Sequence, residues 1–267
     1  MPLLGDLAGL VALVTGSSRG LGRSYALRLA AAGADVAVHD ITANKSAEFG
    51  EADTIAATVE EIAAMGRRAV AVLGDVTDPD AVARIIAETE AALGPLNILV
   101  NNAGGDIAAV GGRRPEPNDC VGIRPEDIRA VLDRNLLSTI LCCRAAAPGM
   151  IERRGGRIIN ISSMAGVMPV TEGAIYATAK AGIAFFTRSL ALQLRPFDVN
   201  VNAVAPGPTW TARFAATRNV ASEEGKSRLQ RIAQPDDLAG VVEFLAGPLS
   251  RHVSGQVVAV NGGAITP

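Results

Sequence analysis

The stretch that most restricts the fold is Leu10–Asp40, LVALVTGSSRGLGRSYALRLAAAGADVAVHD. Leu10 to Thr15 is a short apolar run of strand-forming residues. It ends in TGSSRGLG and passes into a helix-like stretch from Arg23 to Ala32, which Gly33 closes as a C-cap. Ala34 to Asp40 is a second strand. This order of strand, glycine turn, helix and strand gives two parallel strands, and a parallel sheet needs helices over both faces. It is also the context a dinucleotide-binding turn requires. Gly16, Gly20 and Gly22 let the backbone turn tightly and approach a pyrophosphate, with the helix N-terminus donating N–H groups to it. Ser18, Arg19 and Leu21 complete that expected cofactor turn. The spacing is GxxxGxG, and a plain tight turn has the same glycine content. The helix and second strand that follow favour the nucleotide reading.

Asp40 ends the second strand, where a carboxylate can accept hydrogen bonds from both hydroxyls of an adenosine ribose. It would repel a 2′-phosphate: two unit charges about 4 Å apart cost on the order of 4 kcal/mol at an effective dielectric near 20. NAD is therefore expected over NADP. Arg19 argues the other way, since a guanidinium in that turn could pair with a 2′-phosphate, and an ordinary loop carboxylate is the plain alternative for Asp40. His39 reads as a strand-end residue.

Residues 41–51 form a polar surface excursion before a helix from about Asp53 to Met65, and Ala69 to Leu73 is a third strand. Beyond it, Asp75 could accept from an adenine amino group and Val76 offers a backbone N–H. Thr77-Asp78-Pro79 signals a helix start. Asn97 to Val100 is a fourth strand, ending in NNAG. The small residues there let a cofactor lie against Asn102, Ala103 and Gly104, although an Asn-rich turn would look the same. Residues 105–124 are rich in Gly, Pro and Arg, either an active-site rim or a surface insert. A helix from Pro125 to about Ala147 carries Asp133, Arg134 and Asn135. Asn135 is a poor helix former, and a buried one must satisfy both ends of its amide. It reads either as a helix-packing amide or as a link in a proton path.

Arg157 to Lys180, RIINISSMAGVMPVTEGAIYATAK, carries the chemistry. Ile158, Ile159 and Ile161 mark a buried strand, Ser162 and Ser163 open a loop, and a small-residue helix follows with Tyr176 and Lys180. Residues four apart share a helix face, so phenol and ammonium project together. A free phenol has a pKa of about 10. A neighbouring cation favours the phenolate and brings it toward general acid–base use. Ser163 could hydrogen-bond the oxygen that exchanges this proton. A half-buried helix bearing one Tyr and one Lys is the plain alternative. Further on, Val199 to Val204 is a sixth strand. It is closed by Pro206-Gly207-Pro208, with Thr209 and Thr211 placed to reach a carboxamide and Trp210 and Phe214 as apolar cover. Residues 208–232 read as a substrate lid or an ordinary surface loop. A helix from Asp236 to Ala246 and a strand from Gln256 to Val260 end the chain.

The length of 267 residues suits one α/β domain spanning 1–267. Aromatic residues are few, and Ala, Val, Ile and Leu suit thin helical layers on a parallel sheet. The net charge of −2 leaves no basic stripe for nucleic acid or membrane. Cys120, Cys142 and Cys143 are odd in number and lack metal-ligand spacing, as in a reduced cytoplasmic protein. No apolar run reaches membrane-spanning length and no signal-peptide pattern is present.

Taken together, these motifs resemble the short-chain dehydrogenase/reductase family over nearly the whole chain. TGSSRGLG is similar to its TGxxxGxG turn, NNAG at 101–104 to its NNAG, PGPT at 206–209 to its PG segment, and VNGG at 260–263 to its V-D-G-G. Asn135, Ser163, Tyr176 and Lys180 fall in the order of its catalytic tetrad. Ser163 is chosen over Ser162 because it lies thirteen residues before the Tyr. The resemblance implies a Rossmann-type doubly wound parallel sheet of about seven strands. It implies hydride transfer between NAD and a small alcohol or carbonyl substrate, with Tyr176 moving the proton, Lys180 holding the phenolate and the nicotinamide ribose, Ser163 orienting the oxygen, and Asn135 holding a water that links Lys180 to solvent. It also implies a homotetramer (or homodimer), for which Ala174, Ala177, Ala181 and Ala184 offer a small-residue helix surface. Two departures, the longer segment between NNAG and Asn135 and the extended excursion at 41–52, leave the substrate open. Rival readings are an NADPH-dependent 3-oxoacyl-thioester reductase and a dinucleotide-binding sensor or scaffold without turnover. Arg113, Arg114 and Arg213 could rim the site and favour an anionic group, or could simply be solvated. His252 reads as structural or interfacial.

Overall fold

Parallel pairing of Val11–Val14 with Asp35–Asp40 makes the first crossover, and the rest of the sheet grows outward from it. The computed structural model describes residues 6–51, 54–217 and 222–264. Asp53, at the expected start of the second helix, and residues 218–221 of the expected lid lie outside the described residues. The elements in chain order are β1 (Val11–Val14), α1 (Gly20–Ala31), β2 (Asp35–Asp40), α2 (Ile55–Ala64), β3 (Ala69–Leu73), α3 (Pro79–Leu93), β4 (Leu96–Asn101), α4 (Pro125–Leu132), α5 (Ser138–Glu152), β5 (Gly156–Ile161), α6 (Ala174–Leu194), β6 (Val199–Pro206), α7 (Ala212–Thr217), α8 (Pro235–Ala246) and β7 (Val257–Val260).

The seven strands lie in the order β3-β2-β1-β4-β5-β6-β7, all parallel, as the doubly wound reading expects. The chain runs outward from β1 to β3 and then returns to β4. That reversal leaves a crevice beyond the carboxyl ends of the central strands. Both faces of the sheet are covered, which is why its strands read as unbroken apolar runs. Ala12, Val14, Val36 and Val38 face a core built with Tyr25 and Leu29 of α1 and Leu238 and Val242 of α8. Val11, Leu13 and Ala37 face the other, built with Ile85 of α3, Cys143 and Met150 of α5 and Leu190 of α6. Truncating a side chain as buried as Leu29 to Ala would cost about 2–5 kcal/mol. The Thr77-Asp78-Pro79 signal is realised: the Asp78 carboxylate accepts the Asp80 N–H at 3.0 Å at the head of α3.

The long helix expected from Pro125 to about Ala147 differs in two ways. At Asp133–Leu137 it widens by one residue, the Ser138 N–H donating to the Asp133 carbonyl five residues back. It also runs on to Glu152 through Pro148. The Ala147-Pro148 step reads as a stop, but a proline removes only one ladder bond, and wholly buried Met150 holds the next turn against the core. β6 extends two residues further than expected, to Pro206. The 41–51 excursion contains a 3-10 turn, Lys45–Phe49, with Ser46 buried beneath it. The expected small-residue surface of α6 is only partly outward, because Ala184 is buried while Ala181 is exposed. Among the described residues, no helix is long and apolar enough to cross a membrane, and no group of three metal-capable side chains converges. The three thiols are free, with Cys120 exposed and Cys142 and Cys143 buried.

Candidate active site

The crevice is a cleft of about 1530 Å³, larger than the roughly 300–1,000 Å³ of a drug-sized ligand site and suited to a dinucleotide beside a substrate. Every residue expected as catalytic or cofactor-binding lines it except Ser18 and Asn135, and of the expected cover and rim residues Phe214, Arg114 and Arg213 line it while Trp210 and Arg113 do not.

The glycine turn is held from below. Asn102 Nδ2 donates to the carbonyls of Thr15 and Gly16, both at 3.0 Å, and Thr15 Oγ1 accepts the N–H groups of Asn102 and Ala103 at 3.0 Å. A Cβ on Gly22 would collide with the Gly16 carbonyl and that Asn102 amide, so this position tolerates no side chain. Gly16 and Gly20 adopt φ of +64° and +56°, a region that favours glycine. The Gly16 N–H donates to His39 Nδ1 at 3.2 Å, and His39 Nε2 faces the Gly74 carbonyl at 3.0 Å. This network assigns the neutral tautomer protonated at Nε2. Burial lowers the His39 pKa, in keeping with its reading as a strand-end residue.

At the end of β2, Asp40 is nearly buried and accepts from Ser18 Oγ and, at 2.8 Å, from the Ile41 N–H. Ser18 is wholly buried, so its side chain serves Asp40 and does not enter the cleft. The carboxylate borders the cleft with lone pairs to spare, a fit for ribose hydroxyls. Arg19 turns away from this spot. It pairs with Glu48 at 2.8 Å and stacks on Phe49, 4.5 Å from the ring centroid. Burial pushes the Glu48 carboxyl up, but the hydrogen bonds and charges of Lys45 and Arg19 outweigh it and hold the group below its ordinary value. Glu51 Oε2 accepts the Gly20 N–H at 2.6 Å, so a carboxylate of the excursion sits on the first amide of α1, where a pyrophosphate is expected. At the adenine end, Asp75 Oδ1 is engaged by Thr77 through its N–H at 2.9 Å and its hydroxyl at 2.8 Å. Its other oxygen is available to a ligand.

At the opposite end, β5 delivers two serines with separate duties. Ser162 Oγ donates to the Lys180 carbonyl at 2.8 Å and ties the strand to α6. Ser163 lines the cleft, its hydroxyl oxygen accepting the Ala165 N–H at 3.1 Å. Gly166 then passes so near the α6 backbone that a Cβ would lie 2.6 Å from the Ala181 nitrogen. On α6, Lys180 Nζ is 5.6 Å from the Tyr176 ring centroid and donates to the Ile161 carbonyl at 2.8 Å. Tyr176 is half-buried and Lys180 only 4% exposed. Burial brings the Lys180 ammonium down from 10.5 to about 7.

Asn135 stands behind the cleft wall. Its Oδ1 accepts the Gly105 N–H at 2.9 Å, and its Nδ2 donates to the carbonyls of Gly105 at 3.0 Å and Val131 at 2.8 Å. Both amide hydrogens are thus committed, leaving one lone pair of Oδ1 for the water expected there. A Cβ on Gly104 would lie 3.5 Å from Lys180 Nζ, so the backbone that Asn135 clamps is the strip beside the ammonium. Beyond β6, Thr209 Oγ1 donates to the Gly207 carbonyl at 3.0 Å, and Thr211 Oγ1 accepts the Phe214 N–H at 3.1 Å at the start of α7. Trp210 and Phe214 pack with centroids 6.1 Å apart. Arg113 is exposed and His252 is exposed away from the cleft.

A profile of the short chain dehydrogenase family matches residues 10–221. A cyclohexanol dehydrogenase of Rhodococcus sp. (strain TK6) is 39% identical over 271 residues, covering 96% of this chain and 96% of that protein. The chain belongs to the short-chain dehydrogenase/reductase family. A 3-oxoacyl-(acyl-carrier-protein) reductase of Synechocystis sp. is 37% identical over 265 residues, covering 97% of this chain and 98% of its own. A solved 7α-hydroxysteroid dehydrogenase, complexed with NADH and 7-oxo glycochenodeoxycholic acid, has a TM-score of 0.84 at 30% identity, covering 98% of this chain and 96% of that one.

This dehydrogenase is thus an oxidoreductase acting on CH–OH groups, from a family that uses NAD(H) or NADP(H). Two residues escaped the sequence reading, Glu48 and Glu51, whereas Arg213, expected as a possible rim residue, does line the cleft. The available signal was positional. A loop leaving the carboxyl end of β2 starts at the cleft, so acidic residues within it are near the cofactor turn.

Proposed function

We propose that this dehydrogenase moves a hydride reversibly between NAD and a secondary alcohol or ketone, using Ser163, Tyr176 and Lys180 as its catalytic groups and Asn135 as a positioning residue. The observation that carries this reading is the Tyr176–Lys180 pair at one end of a cleft whose other end is the glycine turn. The glycine cradle at Gly16 and Gly22, and Asp40 with spare lone pairs, fit a dinucleotide. When bound, NAD supplies the hydride acceptor or donor.

The chain's own groups handle the proton and the oxygen. In oxidation, the Tyr176 phenolate takes the hydroxyl proton. In reduction, the phenol returns it to the carbonyl oxygen. Lys180 uses one N–H on Ile161, which leaves two for the phenolate and a ribose hydroxyl. An ammonium beside a phenol favours the phenolate, and the phenolate in turn favours the ammonium that burial penalises. Ser163 donates to the substrate oxygen and orients it. Asn135 keeps Gly104 and Gly105 flat against the site, and one lone pair of its Oδ1 can receive a relay water. Asp40, and the Glu48 pairing that turns Arg19 away from it, support NAD over NADP.

A cytoplasmic homotetramer (or homodimer) of single-domain protomers completes the proposal. Phe185 and Leu192 of α6 are 69% and 72% exposed on one helix face, and a second copy would cover them. The similarity to the Synechocystis reductase keeps NADPH-dependent reduction of a 3-oxoacyl thioester as the second reading. Oxidation of cyclohexanol and other secondary alcohols with NAD⁺ and NADP⁺, beside reduction of a 3-oxoacyl thioester with NADPH, tests both. Tyr176→Phe is expected to lower kcat by about 10²–10⁴ with NAD⁺ affinity nearly intact. Unchanged turnover in that variant removes the phenol from the chemistry.

A further inference from the structure

The cations that border the cleft differ in what holds them. Arg19 and Lys45 share Glu48, each at 2.8 Å. Arg114 pairs with Asp106 at 2.8 Å and Glu172 at 3.5 Å, and Lys226 with Glu223 at 2.6 Å. Arg134 donates to the Ile107 carbonyl at 2.7 Å. Arg213 is the one held most loosely: Arg134, like Lys180 on the Ile161 carbonyl, has a short bond to a backbone carbonyl, and Arg213 does not. It reaches inward from α7, packs Nη1 against Gly105 and, among the described residues, makes one long bond, Nη2 to the Asp106 carbonyl at 3.3 Å. Among the described residues, no carboxylate comes within ion-pair distance of it. A guanidinium carries five N–H donors and stays charged, so it cannot escape desolvation by losing a proton. A half-buried one with a single bond is short of an anion.

Its place is next to the chemistry. Gly105 follows Gly104, which touches the Lys180 ammonium and the Asn135 amide. Burial and the charge of Arg19 depress the Arg213 pKa, opposed by the charges of Tyr176 and, beyond ion-pair distance, of Glu48 and Asp106. Ile107, Met168, Val170 and Phe214 give the same cleft apolar surface. One planar fork in apolar surroundings matches a carboxylate, which it can hold through two parallel bonds. A phosphate dianion would call for more positive charge than one arginine brings.

We infer that Arg213 receives the carboxylate of the substrate, and that the alcohol oxidised here is a secondary hydroxy acid. This rests on the hydride-transfer reading above. Because Arg213 rides on α7, the bound carboxylate also ties that helix over the reacting carbon.

The test uses the intact enzyme with NAD⁺ and a panel of 2- and 3-hydroxy acids of four to six carbons, each beside its neutral methyl ester and a plain secondary alcohol. The wild type is expected to favour acids over esters, and Arg213→Leu to lower that acid-to-ester ratio of kcat/KM by roughly 10- to 100-fold. The Kd for NAD⁺, read by fluorescence, should move less than about twofold. Arg213→Lys should recover part of the preference, since it keeps the charge and loses the fork. Esters turned over as well as acids, or a ratio untouched by Arg213→Leu, would overturn the assignment. An Arg213→Leu defect confined to NAD⁺ affinity would give the arginine to the cofactor pyrophosphate instead, again overturning it. Oxidation of plain alcohols but of no acid refutes the carboxylate role and leaves the dehydrogenase reading standing, whereas silence toward every alcohol with both cofactors sinks that reading itself.

Discussion

Lys180 should make the enzyme less stable than it could be, and Lys180→Met should show by how much. The ammonium is almost fully buried and its pKa falls from 10.5 to about 7 because burial penalises the charge. Between those two pH values the unfolded chain keeps a proton that the folded chain has released. Unfolding then takes up protons, so stability rises with pH across the window, and the penalty is fully present below pH 7. At 1.36 kcal/mol per tenfold, the penalty near pH 7 is about 4 kcal/mol. Methionine has a similar unbranched shape and no charge. It leaves the Ile161 carbonyl without its Lys180 donor, a loss of about 1–3 kcal/mol. The net gain is then about 1–3 kcal/mol at pH 7, or very roughly 3–10 °C in Tm for a chain of this size. Urea denaturation of cofactor-free wild type and variant, at fixed protein concentration and at pH 7 and 9.5, measures this. The variant should unfold at higher urea at pH 7, its advantage should shrink at pH 9.5, and its turnover should collapse. A variant no more stable at pH 7, or a wild-type stability flat across that range, would refute the assignment of a desolvated ammonium.

Two further outcomes follow from single contacts. Glu51 must leave the Gly20 N–H before a pyrophosphate can use it. Discounted for partial exposure, that charge-assisted bond contributes about 1 kcal/mol, so Glu51→Gln should tighten NAD⁺ binding about 3- to 10-fold by isothermal titration. Weaker binding would mean that Glu51 contacts the cofactor itself. Tyr25 is wholly buried in α1, its hydroxyl has no hydrogen-bond partner among the described residues, and its pKa is pushed far up by burial. Tyr25→Phe should therefore leave activity intact and raise stability by about 1 kcal/mol, seen as a higher urea midpoint; a lower one would reveal a hidden partner for the hydroxyl.

What was legible in the sequence was local. The Leu10–Asp40 unit could be read because strand, glycine turn and helix each carry their signal within a few residues, and the structure keeps all three. Tyr176 and Lys180 could be paired because helix geometry alone puts them together. Asn135 could be singled out, but not its partner: the amide closes on Gly105, thirty residues earlier, and only the fold brings them together. The widened turn around it was invisible because Asp133–Leu137 contains no Gly or Pro to mark it.

The cleft mouth shows the same limit most sharply. Three segments without clear periodicity meet there. The 41–51 excursion brings Glu48 to Arg19 and close to Gly112 of the rim loop, where a Cβ would lie 3.1 Å from Glu48 Oε1. The rim loop holds itself through Asp106, which accepts from Arg114 and Asn118, both at 2.8 Å. From the lid, α7 lies against the Lys45–Phe49 turn and sends Arg213 back to the Asp106 carbonyl. The contacts between segments join residues far apart in sequence, and they involve charged or small side chains whose ordinary place is solvent. Composition alone would assign all three segments to the surface. Their mutual closure over one cleft puts them where an entering substrate would have to pass. The reaction is written in the sheet and α6, and the substrate in loops whose meaning exists only once the sheet has brought them together.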